Sequence, residues 1–165
     1  MPDRHRWPGG RAILGIMAYL LTGMLAAAAA PTASPTRVAS VPACHHRIVY
    51  HVSSNDQPMM QRALGTADNA FKHYRSRGET ARIEIVANGG GVHMMRSDTT
   101  PVGPMLQYMR STYPDLVLTA CGITRTIMET NEARTVPLLE GVGVVTAGIV
   151  RAVELQEEGY AYVKP

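Results

Sequence analysis

The sequence predicts an α/β protein, a three-layer α/β/α sandwich on a mostly parallel five-stranded sheet of flavodoxin-like topology. Three observations carry that reading. Short apolar runs rich in branched residues alternate with segments of helical period, in the order β-α-β-α-β-α-β-α-β. Glycine, proline, serine or aspartate marks most of the junctions. No stretch repeats another, which sets aside a solenoid or an array.

Residues 47–52 form the first strand, and residues 53–56 turn the chain into a helix that Asp56 caps, with Pro58 in its first turn. The helix runs to about Arg77. Met60, Leu64, Ala67, Phe71 and Tyr74 line one face, and Gly78 stops it. Residues 81–87 are the second strand. Asn88 and three glycines follow as a tight loop. Residues 104–111 form a helix carrying Met105 and Met109, closed by Pro114. The apolar run 116–120 reads as a central strand buried on both faces. From Gly122 to Asn131 the period turns helical, with Ile123, Ile127 and Met128 expected to be buried. Residues 142–145 form a fourth strand. Residues 148–157 form a helix with Ile149, Ala152 and Val153 on one face and Leu155 near its edge. Gly159 ends this helix, and residues 160–163 are the last strand. Tyr160, Tyr162 and Val163 stand on an edge that needs cover, which predicts a homo-oligomer.

The first 30 residues have a different character. Arg4, Arg6 and Arg11 precede an apolar run that ends in five alanines, the pattern of a cleavable secretory signal peptide. A periplasmic or secreted protein is expected, with membrane contact only through the uncleaved leader. Residues 31–46 read as a linker rich in Pro, Ala, Ser and Thr, and residues 47–165 as the domain. Removing the leader takes away those three arginines against Asp3, so the formal charge of +3 falls to +1. A nearly neutral domain has no electrostatic footprint for nucleic acid.

Cys121 is the candidate reactive group. It sits where the central strand meets the next helix, the place an open α/β sheet puts its chemistry. Unpaired N–H groups at that helix start favour thiolate over thiol. The other reading is a small buried hydrophobe. In a flavodoxin-like strand order the first and third strands flank the crevice, with Cys121 in it. Asn88, Gly89 and Gly90 could offer N–H groups to an anion there, as could Gly122, and the run could equally be a tight turn. Arg125, four residues beyond the cysteine, could support an anionic sulfur or simply stand in solvent. Cys44 precedes the first strand, too far along the sheet for a bridge to Cys121. His45, His46, His51 and His93, with Met59, Met60, Met94 and Met95, show no ligand spacing, so no metal is expected. No Ser-His-Asp or paired-carboxylate arrangement can be assembled.

On residues 47–52, 82–89, 116–122 and 148–165, the domain resembles the DsrE/DsrF-like family of sulfur-relay proteins. The closing run from Gly148 to Pro165 looks like the C-terminal signature of its small stand-alone members. The resemblance implies an α/β/α sandwich, an oligomer and a persulfide carried on a cysteine just after a central strand, a position that Cys121 matches. It implies no cofactor. The partners would be sulfur donor and acceptor proteins or small sulfane-sulfur compounds. The alternative is a non-catalytic oligomeric module that binds a small anion or soft metal in the same crevice.

Overall fold

A computed structural model of the chain describes residues 46–165. The leader, the linker up to His45, Trp7 and Cys44 lie outside the described residues.

Strands β1 (His46–Val52), β2 (Ala81–Ala87), β3 (Leu116–Cys121), β4 (Gly143–Val145) and β5 (Ala161–Val163) form one sheet. Its order is β4-β3-β2-β1-β5, and every neighbouring pair is parallel. Helices α1 (Gln57–Ser76), α2 (Gly103–Thr112), α3 (Gly122–Glu132) and α4 (Gly148–Glu157) alternate with the strands. Local chemistry sets the boundaries of α1. The Asp56 carboxylate accepts from the Met59 N–H at 3.1 Å, Pro58 occupies the first turn, and Gly78 takes φ +70° just past the end.

The sheet's two faces differ. Ile48, Tyr50, Val52, Ile83, Ile85, Ala87, Leu118 and Ala120 project to one face. There they meet Met60, Leu64, Ala67 and Phe71 of α1, Leu106 and Met109 of α2, and Met94 and Met95. The intervening residues project to the other face, where Val49 and Val86 meet Leu155 of α4 and Tyr160. Buried His51, Glu84 and Thr119 alternate along their strands with residues of the first face, so they too belong to the second.

One expectation is extended and two are corrected. The run after β2 is the tight turn expected, with Gly89 at φ +49° and the Gly91 N–H donating to the Asn88 carbonyl at 2.9 Å, but it continues as a 3₁₀ segment, Gly89–Met95, that carries Met94 and Met95 into the core. In α3 no residue is buried, and Ile123 and Ile127 are 53% and 55% exposed. The polar side of α3 faces inward instead. Arg125 Nε–H donates to the Val136 carbonyl, and the Glu129 carboxylate accepts from the Val136 N–H, each at 3.1 Å. In α4, Ala152 and Leu155 are buried while Ile149 and Val153 are exposed. Arg151 sets that phase, because it must reach buried Glu84.

The strand order also moves the crevice. β2 lies between β1 and β3, so those two strands do not flank it. The end of α3 is tied to the first face. Glu132 pairs with Arg96, one residue past the 3₁₀ segment. The chain leaving β4 enters α4 on the second face. The reversal that opens a crevice in such sheets therefore falls between the carboxyl ends of β3 and β4.

Candidate active site around Cys121

Cys121 is the last residue of β3 and the N-cap of α3, so its position is the expected one. Its strand is held between β2 and β4, with Cys121 opposite Val145. The neighbouring turn is equally fixed, because the Ile123 N–H donates to the Thr146 carbonyl at 3.1 Å. The thiol points to the second face, where α4 begins. A Cβ on Gly148 would lie 3.1 Å from the Cys121 Cβ, 3.2 Å from the Asn88 Cβ and 3.4 Å from Val86 Cγ1. A side chain there would push its neighbours by a few tenths of an ångström, so glycine lets α4 start this close to Cys121 without displacement.

Two helix N-termini therefore converge on one thiol. Burial pushes the Cys121 pKa up. The Thr124 hydroxyl and the N–H groups of Gly148 and Thr124, with a lesser share from the Ile123 N–H that also serves the Thr146 carbonyl, outweigh burial, and the pKa lies below its ordinary value. Thr124 is primed for this role. The Gly89 N–H donates to Thr124 Oγ1 at 3.0 Å, so the hydroxyl proton is free to go to the sulfur. As a neutral thiol, Cys121 instead donates weakly to the Thr146 carbonyl at 3.9 Å.

The start of α4 is anchored from below. Arg151 Nε and Nη2 donate to the two carboxylate oxygens of Glu84, both at 3.0 Å. Thr119 Oγ1 adds a 2.8 Å bond to the same carboxylate. Glu84 is buried in the middle of β2, and this bidentate partner is what makes its burial tolerable.

The other expected site residues divide. Asn88 is beside the thiol, against the same glycine. Gly89 joins the site through Thr124. Gly90 and Gly122 have packing roles. A Cβ on Gly90 would come 2.7 Å from the Asn55 backbone nitrogen, and one on Gly122 would come 3.0 Å from the Val145 carbonyl. Arg125 turns to Val136 and Glu129, away from the sulfur. Among the described residues no group of three or more His, Cys, Asp or Glu side chains is placed to hold a metal ion. Met60, Met94 and Met95 belong to the first face's core.

Thr124, Thr146 and Gly148 complete the site without a motif in the sequence that marks them. One signal was there: Cys121 and Thr124 have the N-cap-to-N3 spacing at which a side chain reaches back to its cap.

Cys121 as a whole is only 5% exposed. Two recesses flank its backbone. One of about 430 Å³ is lined by Gly122, Ile123, Thr126, Ile127 and Thr146. The other, of about 480 Å³, is lined by residues of β4 and α4 including Val144, Thr146 and Val150.

Fold and site define a doubly wound α/β protein with a buried, acidified thiol at its strand reversal. No protein-family model matches the chain, and no curated protein matches it. Solved structures do. One is a protein of unknown function, MTH1491 from Methanobacterium thermoautotrophicum, with a TM-score of 0.62 and 28% identity over 73% of this chain and 99% of that one. The likeness supports the α/β fold.

Proposed function

We propose that the protein is an exported sulfur-relay protein of DsrE/DsrF-like type, carrying sulfane sulfur as a persulfide on Cys121. One observation carries the reading: two helix N-termini and a primed hydroxyl converge on a single thiol and lower its pKa. The step is redox-neutral. The Cys121 thiolate attacks the outer sulfur of a donor persulfide. A new S–S bond forms, the donor's S–S bond breaks, and its electron pair leaves with the donor thiolate. An acceptor thiolate reverses the exchange and frees Cys121. The 5% exposure restricts direct donors to small or narrow ones. The basic and apolar blocks of residues 1–30 motivate the export assignment, and the exposed apolar side chains of α3 and α4 fit an oligomer.

The test is polysulfide treatment followed by intact-mass analysis of wild type, Cys121→Ser and Cys44→Ser. A single-sulfur adduct on wild type and Cys44→Ser, absent from Cys121→Ser, is the expected result. An adduct that persists in Cys121→Ser would refute the assignment.

A further inference from the structure

His51 is buried on the second face near the carboxyl end of β1, and nothing in the sulfur step above uses it. Both its ring nitrogens are engaged across the sheet. Nε2 lies 3.0 Å from Asn88 Oδ1, and Nδ1 lies 2.7 Å from the Tyr162 hydroxyl. An amide oxygen only accepts, so Nε2 carries a proton and donates to Asn88; in the neutral ring Nδ1 then accepts from the Tyr162 hydroxyl. The line Tyr162–His51–Asn88 thus runs from β5 through β1 to the end of β2. It stops beside Cys121, since Ala87 pairs with Ala120 and the next residues, Asn88 and Cys121, leave their strands level.

This line fixes the Asn88 amide. Its oxygen is taken up by His51 on the β1 side, and the Asn88 and Cys121 Cβ atoms lie 3.2 Å and 3.1 Å from one point, a Cβ built on Gly148, which puts the amide within reach of a group carried on Sγ. Among the described residues no protein group accepts from the amide NH₂. The sulfur's other flank, toward β4, presents the Thr146 carbonyl. A carbonyl oxygen repels an anionic sulfur, whereas an amide N–H stabilises it. An outer persulfide sulfur, about 2 Å beyond Sγ, therefore has a reason to turn toward β2.

We propose that Asn88 donates a hydrogen bond to the outer sulfur of a Cys121 persulfide, and that His51, steadied by Tyr162, is the positioning residue that orients Asn88. This rests on the persulfide reading. It adds that the loaded state is recognised by a side chain the bare thiol does not use. The largest groups that acidify Sγ itself are Thr124, Gly148 and Ile123.

The experiment measures, in full-length protein, the fraction of Cys121 holding sulfur at a fixed polysulfide concentration and its rate of loss to cyanide. Variants are Asn88→Leu, His51→Leu, His51→Gln and the Asn88→Leu/His51→Leu double. Near-ultraviolet circular dichroism reports whether each is folded. A charge-assisted hydrogen bond of ordinary strength predicts that occupancy in Asn88→Leu and His51→Leu falls about tenfold. The double variant should be no worse than Asn88→Leu alone. His51→Gln keeps an N–H for Asn88 Oδ1 and should recover most of the loss. The alkylation rate against pH, which reads Sγ, should move far less than occupancy. Wild-type occupancy in both single leucine variants, or losses that multiply in the double, would overturn the inference and leave the carrier reading standing. Wild-type protein that never takes up sulfur would overturn both.

Discussion

The sheet's two faces solve different problems. Under α1 and α2 the core is apolar from strand to helix, apart from the Tyr50 and Tyr113 hydroxyls. Under α4, buried His51, Glu84, Thr119 and Cys121 share one side of three adjacent strands. Every described buried polar side chain except Arg96 lies on that second side. The first face contributes most of the apolar burial and hence most of the stability. The second gives up apolar area to hold polar groups in fixed relation, which costs desolvation and gains an acidified thiol. Substitutions on the two faces should therefore separate stability from reactivity.

The largest stability loss is expected on the first face. Leu64→Ala removes a fully buried side chain and should cost about 2–5 kcal/mol in a denaturant titration. The alkylation profile of Cys121 should be unchanged as long as the protein is folded. A large change in the thiol would mean the faces are not separable.

Glu84→Gln tests the second face's foundation. It leaves Arg151 with an uncharged partner and should cost about 1–3 kcal/mol, partly offset because Arg151 also reaches Glu158. It should also slow Cys121, because α4 would no longer hold Gly148 against the sulfur. A loss of stability with no change at the thiol would show that the ion pair serves only the fold.

Thr124→Val should leave stability nearly untouched. It removes the hydroxyl that Gly89 orients, so the thiol pKa rises and alkylation near neutral pH slows by roughly an order of magnitude. Linkage gives a smaller effect. The thiol pKa is lower in the folded than in the unfolded state, so folding releases a proton between the two values. The stabilisation from Cys121 is full above the unfolded pKa and is lost as pH falls through the folded one. The stability difference between wild type and Cys121→Ser should follow that curve, and Thr124→Val should flatten it.

These contrasts mark what the sequence makes legible. Runs rich in branched residues such as 83–86 and 116–120, too short for helices and bounded by turn residues, read as strands, and Asp56 with Pro58 reads as a helix start, so the fold is readable. Helical period alone does not tell which side of a helix meets the sheet. α3 and α4 each carry more apolar residues than their neighbours cover, and polar contacts through Arg125, Glu129 and Arg151 decide the phase. Cys121 is legible as a strand-end thiol. Gly148, 27 positions later, is not, because its role exists only once α4 has crossed the second face.

The central claim is that the fold acidifies Cys121. It is tested most directly in Cys44→Ser protein, where Cys121 is the one remaining thiol. The rate of alkylation by a small reagent is followed against pH, once in native buffer and once in denaturant. The account predicts a native midpoint clearly below the denatured one. Coincident midpoints, a higher native midpoint, or a thiol that reacts only after unfolding would contradict it.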